Sequence, residues 1–201
     1  MSDTIDFWFD FSSPYGYLAS SRSAEIESET GRQVIWKPYL MGALFKQTGR
    51  QPLTNHPMVW DYARNDVTRT SRKFGIDIKM PEPFPIATVS ACRAYYWTLA
   101  NHDEATAKKL TTALYAAYFG HNRNISDKQV VADVAGETGL DTDAVLAGLN
   151  DPSIKETLRL VIEEAAGKGI FGSPFFDIDG EHFWGVDHID DLISWGRDGA
   201  W

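Results

Sequence analysis

The sequence predicts an α/β fold in which one small sheet is built from the two ends of the chain, with a long all-helical segment inserted between them. Three observations lead there. Strand-like runs occur near the N-terminus, at 4–9 and 34–40, and again near the C-terminus, at 175–178 and 182–184. From Gly42 to about Gly169 the apolar residues follow a helical period broken by Pro and Gly, with no convincing strand. The first strand runs straight into a helix start, so the opening unit is β-α-β, with parallel pairing and a right-handed crossover.

The elements follow in order. Residues 4–9 alternate β-branched or aromatic side chains with Asp6 and stop at Asp10, Phe11 and Ser12. Ser13 stands at the N-cap and Pro14 at the first helical position, where a missing N–H costs nothing. This helix is expected to run to about Thr30 and end at Gly31. Pro81, Pro83 and Pro85 make a loop ahead of a helix over 88–99. Ser126 with Gln129 reads as a capping box, and Asp151 with Pro152 repeats the cap-plus-proline start. Asp179-Gly180 between two aromatic-rich runs signals a tight hairpin. A last helix over 188–195 begins after Asp187. Residues 1–41 and 170–201 therefore form the sheet domain, and 42–169 the inserted helical domain.

Composition narrows the function. The 201 residues carry 28 acidic against 19 basic side chains, a formal charge of -9, which argues against nucleic acid or an anionic membrane as the main partner. Cys92 is the one cysteine, so disulfide frameworks, cysteine-rich zinc sites and dithiol pairs within the chain are excluded. His56, His102, His121, His182 and His188 show no metal-ligand spacing, and no metal is expected. No uncharged run approaches a bilayer span, and the aspartate-rich MSDTIDFWFD is unlike a signal peptide. The expectation is a cytoplasmic protein. Walker A, G-x-G-x-x-G and G-x-S-x-G motifs are missing, which leaves nucleotide, dinucleotide and hydrolase readings without support.

The element order is the thioredoxin-like arrangement with a helical insertion before the hairpin. Where thioredoxin-like enzymes keep Cys-x-x-Cys, this chain reads Ser13, Pro14, Tyr15, Gly16; where they keep a cis-proline, it reads Ser173, Pro174. DFSSPYGYLA, KPYLMGALFKQTGRQP, PEPFP, FGHNRNISD and GIFGSPFFDIDGEHFWGVDHID, in that order, resemble the 2-hydroxychromene-2-carboxylate isomerases, relatives of the kappa-class glutathione transferases within the DsbA-like family. The resemblance spans Ile5 to Trp195. It implies a homodimer in which glutathione supplies the thiol. That thiol adds to a conjugated double bond of an aromatic carboxylate substrate, rotation follows, and elimination returns it.

The same resemblance assigns residues. Ser13 is both a good N-cap and the match to the family's catalytic serine, where its hydroxyl would donate to the glutathione sulfur while the helix start favours the thiolate; Ser12 is support at best. A cis bond at Pro174 would turn the Ser173 N–H and C=O outward toward the ligand's backbone, so that side-chain changes at Ser173 should matter little. Val186 and Asp187 match the position of the γ-glutamyl end, although Asp187 is also a good cap for the last helix. Lys37, Lys46, Arg50, Arg64 and Arg69 are the cations near enough to serve anionic ligands, with Arg50 assigned to glutathione and Lys46, together with Tyr15, to the aromatic substrate. Arg50 stands where relatives often have asparagine, and Ala87 does the same after the Phe-Pro, so the usual asparagine contacts are missing and Arg50 can alter which acid is accepted. Tyr15, Tyr17, Trp8, Phe45 and Trp60 are candidates for an aromatic pocket, with core packing the better expectation for any one. A kappa-like transferase or peroxidase, and a non-catalytic thiol or peptide binder, remain as alternatives.

Overall fold

The computed structural model describes residues 3–199, with the side chain of Lys46 outside that description. Four strands, β1 (Thr4–Phe9), β2 (Gln33–Pro38), β3 (Phe175–Ile178) and β4 (Glu181–Trp184), form one sheet in the order β2-β1-β3-β4. β1 pairs parallel with β2 and antiparallel with β3, so Phe7 lies between Trp36 and Phe176. The hairpin turn places Asp179 at φ 56° and Gly180 at φ 88°. Positive φ at both central residues is what a tight two-residue hairpin of this hand requires.

The period of two along β1 divides the core. Ile5, Phe7 and Phe9 join the larger cluster, where Phe7 stacks on Phe176 and meets Trp36 edge-on. Trp8 points the other way, into a smaller cluster with Tyr39, Leu44, Ala165, Ile170 and Phe175. The inserted segment is helical: α3 (Phe45–Thr48), α4 (Pro57–Phe74), α5 (Val89–Asn101), α6 (Glu104–Tyr115), α7 (Lys128–Glu137), α8 (Thr142–Gly148) and α9 (Pro152–Gly167). Tyr95, Leu110, Val131 and Leu149 of this segment belong to the same large cluster as the sheet. Among the described residues, no helix is long and apolar enough to cross a membrane.

Three boundaries differ from the sequence expectation. The first helix is two, α1 (Pro14–Ser20) and α2 (Ser23–Thr30), with α2 ending at Gly31 as expected. The break has a local cause. Ser20 and Ser21 hydroxyls donate to the carbonyls of Tyr17 and Leu18, both at 2.7 Å, which are acceptors a continuing helix needs for its own N–H groups. Asp127, not Ser126, caps α7 by accepting the Gln129 N–H at 2.8 Å, because Asn124 holds both the N–H and the hydroxyl of Ser126. The last helix, α10 (Ile189–Asp198), starts after a separate 3-10 turn, Val186–His188. His188, not Asp187, therefore occupies its cap position, and no side chain caps it.

Candidate functional site

The antiparallel pairing of β1 with β3, with Trp8 opposite Phe175, brings the end of β1 to the loop ahead of β3, and Ser13 sits at that junction. The chain turns there because the Ser13 N–H donates to the Asp10 carbonyl at 2.9 Å and the Ser12 N–H to the Asp10 carboxylate at 2.8 Å. Ser13 has extended backbone angles and accepts the Gly16 N–H at 3.0 Å, with Pro14 next, so it is the N-cap of α1. Its hydroxyl proton goes to the Ser173 carbonyl at 2.9 Å, and the residue is 5% exposed.

Beneath it lies Asp10, a buried carboxyl with no cation bonded to it among the described residues. Burial pushes this carboxyl above its ordinary range, while donors from Ser12 N–H, the Thr88 hydroxyl and Met41 N–H oppose that rise. The Asp10 N–H donates to Ser173 Oγ at 2.9 Å, and the Asp10 carbonyl also accepts the Tyr115 hydroxyl at 3.1 Å. Asp10, Ser13 and Ser173 thus close a ring of three hydrogen bonds across 163 residues of sequence. Gly16 permits it: a Cβ there would stand 2.7 Å from the Tyr115 hydroxyl oxygen and 2.8 Å from Ser173 Oγ. The expectation that the Ser173 side chain matters little is corrected, since its hydroxyl anchors the end of β1.

The Ser173–Pro174 peptide is cis. The Pro174 carbonyl accepts the Gly185 N–H at 3.1 Å, and the Gly172 carbonyl accepts the Tyr39 hydroxyl at 2.7 Å. Both neighbours of Ser173 are thereby fixed. The Ser173 N–H itself has no acceptor among the described residues, as an edge waiting for a peptide strand would, whereas its carbonyl is turned onto Ser13 and not outward. Half of the expected ligand edge is open, and the other half is held by the candidate catalytic hydroxyl.

Asp187 is exposed on the 3-10 turn, with Val186 buried beneath it in the large cluster. Gly185, at φ 106°, makes room for it, because a Cβ there would lie 2.4 Å from Asp187 Oδ1. Tyr15 connects this turn to α4: its hydroxyl donates to Asp66 Oδ2 at 2.9 Å. Burial raises the Tyr15 phenol, and the bond to Asp66 and the charges of Asp66 and Asp187 raise it further, so both carboxylates lie within electrostatic reach of one hydroxyl. Asp66 escaped the sequence reading. In sequence it is an ordinary helix-face acid three residues from Arg69, with which it pairs at 2.7 Å, and nothing local marks it.

The remaining candidates divide clearly. Lys37 bridges Asp6 and Glu164 at 3.1 and 2.8 Å, and Arg69 is taken by Asp66, so neither is a free ligand cation. Arg50 lies 4.6 Å from the ring centroids of both Phe171 and Trp184. Lys46 lies in α3, and its side chain is outside the description. Trp8 is fully buried, Tyr17 stacks on Tyr115 at 5.1 Å, and Trp60 stacks on Phe84 at 5.0 Å. Cys92 is fully buried, and burial holds its thiol well above the ordinary value. This corner can therefore orient and hydrogen-bond an extended ligand and stabilise an anion, while the chain's one thiol, Cys92, is buried.

A 2-hydroxychromene-2-carboxylate isomerase of Sphingobium xenophagum is 28% identical over 197 residues, covering 97% of this chain and 98% of its own. Glutathione S-transferase kappa 1 of Homo sapiens is 23% identical over 179 residues, covering 85% and 79%. Among solved structures, a 2-hydroxychromene-2-carboxylate isomerase superposes with a TM-score of 0.85 at 22% identity, over 95% of this chain and 93% of that one. The profile of the DSBA-like thioredoxin domain matches residues 4–194, and with the sheet order and the cis-proline corner described above the chain belongs to that family.

Proposed function

We propose that the protein is a glutathione-dependent isomerase that interconverts 2-hydroxychromene-2-carboxylate and trans-o-hydroxybenzylidenepyruvate, or a close aromatic analogue. The observation that carries this reading is the Ser13 hydroxyl, which caps α1 at 2.9 Å from the Ser173 carbonyl in a corner without cysteine. Glutathione, when bound, supplies a thiolate able to add to the conjugated double bond and to leave it again. The chain's own residues supply the rest.

The open Ser173 N–H pairs with the tripeptide backbone as an added strand edge would. Ser13 Oγ already accepts from Gly16, so it has one proton to give. Rotating that proton from the Ser173 carbonyl to the sulfur stabilises the anion and releases the carbonyl for a ligand N–H at the same time. Asp187, with Asp66 behind Tyr15, offers negative charge to the γ-glutamyl ammonium. We further infer a cytoplasmic homodimer, with residues 1–41 and 170–201 as the thioredoxin-like domain and 42–169 as its insertion.

The test is a spectrophotometric assay of 2-hydroxychromene-2-carboxylate with and without glutathione. Turnover that requires glutathione and leaves its concentration unchanged supports the reading. Consumption of glutathione one for one favours a kappa-like transferase, which the kappa relatives keep in view. Turnover that is indifferent to glutathione overturns both.

A further inference from the structure

Asp10 and Asp177 are the two buried carboxyls among the described residues. Asp177 is bonded to Lys168 at 2.7 Å, but Asp10 is met only by neutral donors, and the proposed reaction gives its side chain no part. The titratable groups that feel its charge are Tyr39 after β2, Cys92 on α5, Tyr115 at the end of α6 and Tyr118 just beyond. Burial, with the charge of Asp10 added, raises all four, so each stays neutral. A carboxyl buried without a counter-charge destabilises the fold unless its donors offset the loss.

Those donors come from distant parts of the chain and meet at the Ser13 turn. The Ser12 N–H, 2.8 Å from Oδ1, belongs to the turn itself. The Met41 N–H, 2.9 Å from Oδ2, opens a 3-10 turn, Met41–Leu44, that leads from β2 into α3. The Thr88 hydroxyl, 2.8 Å from Oδ1, stands at the start of α5, where the proline-rich loop ends. The Asp10 carbonyl takes the Ser13 N–H at 2.9 Å, so two consecutive N–H groups end on one residue. This fixes the backbone of the turn and with it the direction of the Ser13 Cα–Cβ bond, on which the Gly16 N–H holds the hydroxyl.

We infer that Asp10 is a positioning residue: its carboxylate clamps the β1–α1 turn against the starts of the 41–44 turn and of α5, and so aims the Ser13 hydroxyl at the glutathione sulfur. The role in the reaction rests on the proposed function, whereas the clamp does not. Two effects of the carboxylate oppose each other. Its negative charge disfavours a thiolate nearby, and the hydroxyl it aims favours one.

The thiolate absorbance of glutathione bound to the full chain, titrated against pH, tells these effects apart. In Asp10→Asn the charge is gone and the amide nitrogen cannot accept, so the N–H of either Met41 or Ser12 loses its acceptor. The clamp predicts a titration midpoint about one pH unit higher, which is a tenfold loss of thiolate below it. There kcat should fall about tenfold and recover as the pH passes the new midpoint, a recovery that a merely structural loss would not show. Thr88→Val keeps the charge, removes one donor and should raise the midpoint by a smaller step; it carries the test if Asp10→Asn does not fold. An unchanged or lower midpoint overturns the proposal, a lower one because the charge of Asp10 then outweighs its bonds. Amide hydrogen exchange of the ligand-free chain reads the clamp without glutathione. Exchange at Ser12 or Met41 in Asp10→Asn should quicken at least about tenfold with the amides of β1 and β3 unaltered, and equal rates at both overturn the clamp. If exchange quickens but the unmodified protein binds no glutathione, the clamp stands, and the isomerase reading falls together with the role in its reaction.

Discussion

The Ser13 corner and the Asp187 corner flank the same helix, α1, yet they are built on opposite principles. Ser13 is nearly buried and every polar atom of its side chain is spoken for, by Gly16 on one side and Ser173 on the other. Asp187 is exposed on a short 3-10 turn and caps nothing. A hydroxyl held by its own fold gains a fixed direction at the cost of a bond that must be exchanged when a ligand arrives. An exposed carboxylate makes no such exchange, but it works through water-screened charge. The first arrangement suits a group that acts on a reacting atom, and the second suits one that only holds the far end of a ligand.

The sharpest way to break this contrast is Ser13→Ala. Removing the hydroxyl is expected to lower kcat with saturating glutathione by roughly a hundredfold or more, as for loss of one preorganised donor to a developing anion. The fold should survive with the loss of about 1 kcal/mol that an N-cap serine contributes. Stopped-flow turnover alongside urea unfolding separates the two effects. If kcat holds while stability drops, Ser13 is a cap and nothing more.

Next in size is the ring that binds Ser13 to Ser173. Ser173→Ala leaves the Asp10 N–H without its acceptor in a buried corner, which is expected to cost about 1–3 kcal/mol. Ser173→Thr returns the hydroxyl and should recover most of that loss. Urea unfolding of the pair reads the result directly, and equal midpoints for Ala and Thr would dissolve the ring as a structural device.

Capping chemistry is local, which is why the β1–α1 junction was readable in the sequence: Ser13, Pro14 and the strand before them lie within a few residues of one another. The Asp179-Gly180 hairpin and the Asp151-Pro152 start of α9 were readable for the same reason. Where two local signals competed, the pattern misled, as when Asn124 drew Ser126 away and left Asp127 to cap α7. The site was legible only in part. The resemblance pointed to Ser13, Pro174 and Asp187, but the Ser173 hydroxyl earned its role through Asp10, 163 residues away. Asp66 meets Tyr15 across 51 residues, and Lys37 was lost to ligand binding by a Glu164 that is 127 residues distant. No periodicity or spacing encodes such contacts, because they depend on how finished elements pack.

Asp187→Asn is the smallest change expected and the one that sharpens the comparison most. The substitution keeps the side-chain size and removes the charge, so the turn and the close approach to Gly185 are preserved. An exposed charge pair of this kind alters affinity by only about two- to fivefold, and the dissociation constant of glutathione should weaken by that factor at low ionic strength. The difference should shrink in roughly 1 M salt, where the screening length falls to about 3 Å. Because Asp187 makes no bond to Ser13 or Ser173, kcat at saturating glutathione should match the unmodified enzyme. Calorimetry at two salt concentrations and steady-state kinetics give all three numbers. A fall in kcat comparable to that of Ser13→Ala would erase the distinction between the two corners, for it would mean that the screened carboxylate reaches the reacting atoms after all.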